Sequence, residues 1–134
     1  MVQKKVILIT PEEDEEFVQL AESLNYDILK VFRFRHYSSK YFIGEGKLME
    51  ISSYLDENPV EKILFNGVLK STQWYNLEKA LKTSILDRIM LILDIFSDRA
   101  RSKEARLEVE LAKLNYQIPL LKEWIHRARK GEHP

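Results

Sequence analysis

The chain has 134 residues and a mass of 15.9 kDa, 45% hydrophobic and 31% charged, which suffices for one sizeable core and excludes two ordinary domains joined by a linker. Its 21 Lys and Arg balance 21 Asp and Glu, excluding a uniformly basic nucleic-acid binder of the histone kind. The absence of cysteine excludes disulfides, thiolate metal sites and cysteine nucleophiles, and four Gly with four Pro exclude collagen-like or Pro-rich disorder.

Residues 6–9 form a short apolar run rich in β-branched side chains, a strand that ends at Thr10-Pro11, where Thr suits a helix cap and Pro the first helical position. In the helix that follows, Phe17, Leu20, Ala21 and Leu24 recur at helical spacing. Its start is crowded with Glu12, Glu13, Asp14, Glu15 and Glu16. These read as a solvated, dipole-complementing first turn rather than a metal site, because no second acidic cluster completes a cage. Residues 26–34 then alternate Tyr26, Ile28, Lys30, Phe32 and Phe34 with Leu29, Val31 and Arg33, as a strand covered on both sides does.

A polar link at 36–40 leads to Tyr41-Phe42-Ile43, the turn Gly44-Glu45-Gly46-Lys47, and a helix carrying Leu48, Ile51, Tyr54 and Leu55 that Asn58-Pro59 breaks. Residues 62–65 form a strand, Ser71 caps a helix with Trp74, Leu77 and Leu81 on one stripe, and residues 84–86 supply the last strand. The predicted fold is therefore α/β: a small, mainly parallel sheet of about four strands flanked by helices.

From Asp87, a helix cap, the pattern changes: Ile89, Ile92, Leu93 and Phe96 form one helical stripe, and Ser102 opens a further helix or continues the same one. Beyond it Leu107, Leu111, Leu114, Ile118, Leu121 and Ile125 alternate spacings of four and three, which is a heptad seam. A long C-terminal helix, half of a helical hairpin or coiled coil, is expected to use those six residues as its pairing interface. Pro119 predicts a kink, or a break near Ile118. The expected division is residues 1–98 as the α/β part and 99–134 as the first long helix of a helical part.

No catalytic residue or metal ligand stands out. Gly44-Glu45-Gly46 resembles the opening of a dinucleotide fingerprint, but Met49 stands at its third glycine. A Walker A loop would need Gly where Tyr41 stands and a hydroxyl where Leu48 stands. Two readings stay open for Gly44, Gly46 and Lys47: an anion-binding loop at a helix start, or a structural turn using glycine's backbone freedom. His36, His126 and His133 are far apart and lack helical-spaced partners, so each reads as a surface residue. A receiver-like phosphorylation domain is disfavoured because Asn66 occupies the strand end where a carboxylate nucleophile belongs.

Charge is unevenly distributed. Arg99, Arg101, Lys103 and Arg106 cluster where the long helix begins, and Arg127, Arg129 and Lys130 near its end. Both clusters suit RNA phosphates, or equally a solvated helix face. No membrane partner is expected: the longest nearly apolar run, residues 89–96, contains Asp94 and falls far short of the roughly 20 residues that span a bilayer. The four-residue apolar stretch after Lys5 is too short for a signal peptide, so a cytoplasmic protein is expected.

Several blocks in order, Tyr41-Phe42-Ile43-Gly44-Glu45-Gly46-Lys47, Leu86-Asp87-Arg88, Leu91-Ile92-Leu93-Asp94-Ile95-Phe96, Arg99-Ala100-Arg101, Lys103-Glu104-Ala105 and Val109-Glu110-Leu111-Ala112 with Leu114, Tyr116 and Pro119, resemble the N-terminal domain of HflX-type ribosome-associated GTPases. The chain departs from the family's usual Pro-Arg-Leu at Pro119-Leu120-Leu121 and from its usual Gln at Glu108. The resemblance implies a noncatalytic module of a longer GTPase, contributing to large ribosomal subunit (rRNA) binding and to regulation of a GTPase domain. It implies GTP and Mg as cofactors of that parent and none for this chain, and a parent in which a linker, a second long helix and the GTPase domain follow. The alternative is an interaction domain that forms a homodimer through the heptad helix; an independent nucleotide-binding enzyme is the remotest reading.

Overall fold

A computed structural model describes residues 3–131; Met1, Val2, Glu132, Pro134 and His133, the last expected at the surface, lie outside the described residues. In chain order the elements are β1 (Lys5–Pro11), α1 (Glu16–Glu22), β2 (Asp27–Phe34), β3 (Tyr37–Ser38), β4 (Phe42–Ile43), α2 (Glu45–Glu57), β5 (Lys62–Phe65), α3 (Ser71–Leu81), β6 (Ser84–Leu86), α4 (Arg88–Arg99) and α5 (Lys103–Arg129).

Four strands form one sheet in the order β2-β1-β5-β6, every neighbouring pair parallel. Central β1 and β5 read as unbroken apolar runs because both faces are covered: Val6, Ile7, Leu8, Ile9, Ile63, Leu64 and Phe65 are all fully buried. Helix α1 packs beside α4, and α2 beside α3. The crossover from β1 to β2 runs one way along the sheet and those from β2 to β5 and from β5 to β6 run the other, so the right-handed rule puts α1 on one face and α2 with α3 on the opposite one, and α4, packed on α1, joins the first. Helix α5 touches both α3 and α4, closing the layers at the β6 edge.

The expected sheet and flanking helices are present, with local differences. Thr10 and Pro11 do not start a helix. The strand runs to Pro11 and α1 begins at Glu16, so of the acidic run only Glu16 lies in the first turn. Thr10 is fully buried and its hydroxyl accepts from the Asn66 amide at 2.9 Å, a tertiary use that local sequence cannot reveal. Strand β2 is an edge strand rather than covered on both sides. A register shift opposite Val6 and Ile7 leaves Leu29 out of the pairing and 38% exposed.

The 36–40 link contains β3, which pairs antiparallel with β4. There Phe42 holds a left-handed backbone, φ 69°, and its ring packs edge-on against Phe34, Tyr37 and Phe65. Lys70, not Ser71, precedes the first turn of α3, its backbone N–H donating to the Gln73 side chain at 3.1 Å. Asp87 and Ser102 cap α4 and α5 as expected, accepting from the N–H groups of Met90 (3.1 Å) and Ala105 (3.0 Å). The second of these caps makes α5 a separate helix.

Pro119 does not break α5, which runs from Lys103 to Arg129. A proline removes one intrahelical hydrogen bond, at the carbonyl of Asn115 here, but Tyr116 and Leu120 on either side pack against the core and hold the helix through that gap.

Candidate nucleic-acid interface

Helix α4 ends at Arg99 and α5 starts at Lys103, so Arg99, Arg101, Lys103 and Arg106 lie within two helix ends and the three residues between them. All four are exposed. Among the described residues none of the four has a carboxylate within ion-pair distance, and the Arg106 guanidinium donates only to the carbonyl of Ala100 at 3.4 Å. A compact group of unneutralised cations remains, the arrangement that exchanges counterions for phosphates.

The second basic cluster lies at the other end of a 27-residue helix, about 40 Å away at 1.5 Å per residue, so the two do not form one patch. Its members differ in role. Arg129 and Lys130 are exposed, whereas Arg127 is half-buried, pairs with Glu123 at 2.9 Å and lies 4.9 Å from the centre of the Tyr75 ring. The expected phosphate contact at Arg127 is thus already engaged in holding α5 to the body of the domain.

Around α5 the residues separate by face. Ala105, Val109, Lys113, Tyr116, Leu120, Trp124 and Arg127 face the body and are partly buried. The pairing residues Leu107, Leu111, Leu114, Ile118, Leu121 and Ile125 face away, each between 43% and 63% exposed. The body-facing side carries most of the polar contacts. Lys113 Nζ is 2.7 Å from Asp94 Oδ1, the Tyr116 hydroxyl donates to Asp87 Oδ2 at 2.6 Å, and Trp124 Nε1 donates to Glu78 Oε1 at 3.3 Å. Burial pushes the carboxyls of Asp87 and Glu78 above their ordinary range, against hydrogen bonds from Tyr116 and from the Ile85 N–H respectively. Burial works against the Lys113 ammonium, yet Asp94 and then Glu110 hold its pKa above the usual value.

Gly44 has an ordinary extended backbone, φ −69°, ψ 157°, as the residue preceding α2, and a side chain at Gly44 or Gly46 would meet open space. Neither glycine is demanded by strain or by close approach. Lys47 pairs with Glu50 at 3.1 Å, and its charge also reaches Glu12. The segment is the first turn of α2, with Lys47 engaged by Glu50.

Sequence reasoning missed a polar cluster at the carboxyl ends of β1 and β5, where chain connections diverge and where folds of this type receive ligands. The Asn66 amide donates to Thr10 and, at 2.8 Å, to Asp14 Oδ2, while its carbonyl accepts from Arg88, which also pairs with Glu16 at 2.7 Å. The Asn66 hydrogen bond draws the Asp14 carboxyl below its ordinary range. Among the described residues no buried side-chain polar atom lacks a partner, so this crevice is filled by a satisfied structural network. The signal present in the sequence was Asn66 at a strand end; its partners are 52 and 56 residues away.

Two family descriptions cover most of the chain: "GTP-binding GTPase N-terminal" over residues 12–97 and "GTP-binding GTPase Middle Region" over 99–133. The GTPase HflX of Thermococcus kodakarensis is 45% identical over 118 residues, 87% of this chain and 27% of that protein. The GTPase HflX of Escherichia coli is 37% identical over 122 residues, 89% of this chain and 29% of that protein. The crystal structure of a GTP-binding protein from Sulfolobus solfataricus in complex with GDP superposes with a TM-score of 0.74 at 31% identity, covering 90% of this chain and 39% of that one. The chain thus spans less than a third of the length of these curated relatives.

Proposed function

The chain belongs to the HflX family of GTPases, and we propose that it is the noncatalytic N-terminal module through which a longer, GTP-hydrolysing, cytoplasmic parent engages the large ribosomal subunit and has its GTPase domain regulated. The observation that carries this reading is the group Arg99, Arg101, Lys103 and Arg106. These side chains are exposed and unneutralised, and the end of α4, the link after it and the start of α5 present them together. Arg129 and Lys130 add a second phosphate contact at the far end of that helix. GTP and Mg fall to the parent's GTPase domain, and an anion at the turn of Gly44, Gly46 and Lys47 would compete with Glu50 for Lys47. The six exposed seam residues from Leu107 to Ile125 await another helix, which in the parent is the one expected to follow.

The test is cosedimentation of the chain with purified large subunits across a salt series. Binding that weakens with salt, and a triple variant Arg99→Glu, Arg101→Glu, Arg106→Glu that binds less and with a smaller salt slope, is the expected result. Unchanged cosedimentation of the triple variant would overturn the RNA reading and give these arginines to contacts within the parent.

A further inference from the structure

Helix α5 turns its less aliphatic side inward. At 100° per residue the six seam positions lie roughly 150° round the helix from the body-facing stripe. That stripe offers only Ala105, Val109 and Leu120 as aliphatic contacts, while six Leu and Ile face outward. Helix α5 has no fully buried residue. Burial of aliphatic area alone would favour the opposite roll. The three polar contacts to carboxylates lie on the inward side, at Lys113, Tyr116 and Trp124, and each uses a different part of the body: Asp94 within α4, Asp87 at its cap, and Glu78 within α3. Asp87 and Glu78 are themselves fixed by backbone donors, the N–H groups of Met90 and Leu69 for one and of Ile85 for the other.

We propose that Asp94, Asp87 and Glu78 form a three-point clasp that sets the roll of α5, with Lys113, Tyr116 and Trp124 as positioning residues that keep the aliphatic seam turned outward. Polar contacts with fixed geometry specify one orientation where apolar burial would accept several. The clasp acts whether or not the module binds RNA.

Because the chain has no cysteine, single-cysteine accessibility reads the roll directly. Leu114→Cys reports the outward face and Leu120→Cys the inward one. In the otherwise unaltered 134-residue chain the outward cysteine should react with a maleimide faster than the inward one. In the background Lys113→Met, Tyr116→Phe, Trp124→Phe the ratio of outward to inward rates should fall by roughly tenfold or more, as loss of hydrogen bonds to charged groups implies. Lys113→Arg, which keeps the charge, should preserve the ratio. The proposal requires the outward rate itself to drop; an unchanged ratio in the triple background, or a ratio that falls only because the inward rate rises while the outward rate holds, as when the helix simply undocks, would overturn it. If circular dichroism shows that the triple background does not fold, Tyr116→Phe alone must lower the ratio in the same direction, and an unchanged ratio there is equally decisive.

Discussion

The hydroxyl of Tyr116, midway along the terminal helix, donates a 2.6 Å hydrogen bond to Oδ2 of Asp87, the fully buried residue that also caps α4. One carboxylate therefore joins three segments, because the same oxygen accepts from the Leu69 N–H at the entrance to α3. The long helix is tied into the loop geometry of the α/β body.

Removing that tie should be costly for one atom. Tyr116→Phe is expected to lower the unfolding free energy by about 1.5–3 kcal/mol, the range for a hydrogen bond to a charged group. Urea denaturation followed by circular dichroism measures it, and a change under about 0.5 kcal/mol would mean that the hydroxyl contributes little.

The pH dependence has a definite sign at Glu78. Burial raises its folded-state pKa above the unfolded value, so the folded state holds this proton more tightly. Its stabilising contribution is complete below the ordinary carboxylate range and is lost as pH rises through the raised value. Lowering the pH from neutral through that raised pKa should thus add a stabilising term that Glu78→Gln lacks. The measured quantity is the difference in stability between wild type and variant at successive pH values. A difference that does not move with pH contradicts the burial argument.

Gly67 is required for space rather than for backbone freedom. A Cβ there would come within 2.8 Å of the Phe42 ring and 3.1 Å of the Phe65 ring. Phe42 has little room to retreat, with its backbone left-handed and its ring enclosed by Phe34, Tyr37 and Phe65. Gly67→Ala should destabilise the chain by about 1–3 kcal/mol, the usual cost of overpacking. Combining it with Phe42→Leu should recover part of the loss if the clash is the cause, and additive losses would point elsewhere.

What the sequence made legible was whatever repeats along the chain. The continuous apolar runs of β1 and β5, the stripes of α2 and α3 and the caps at Asp87 and Ser102 are local signals, and they place the sheet and its helices correctly. The roles of Thr10 and Asn66 were not legible, since they depend on partners more than 50 residues apart, and Thr10-Pro11 gave a false helix start for that reason. On α5 the heptad seam was conspicuous because it repeats strictly. The body-facing stripe escaped notice because its contacts rest on Lys113, Tyr116 and Trp124, which no hydrophobic pattern marks.

The separation of faces on α5 predicts unequal mutational sensitivity. Leu111 and Leu114 are 59% and 63% exposed, so Leu111→Glu with Leu114→Glu removes little buried surface and should change stability by no more than about 0.5 kcal/mol. Leu120, one helical turn and a half further on, packs against the core, and Leu120→Ala should cost about 1–2 kcal/mol, below the range for a fully buried leucine because it is only half-buried. Burying a leucine completely is worth roughly 1.5–3 kcal/mol, so a loss of that size in the glutamate variant would mean that the seam is covered in solution. Dilution then identifies the cover: a loss that shrinks as the protein is diluted belongs to a second copy on the seam, and one that does not belongs to the chain's own fold.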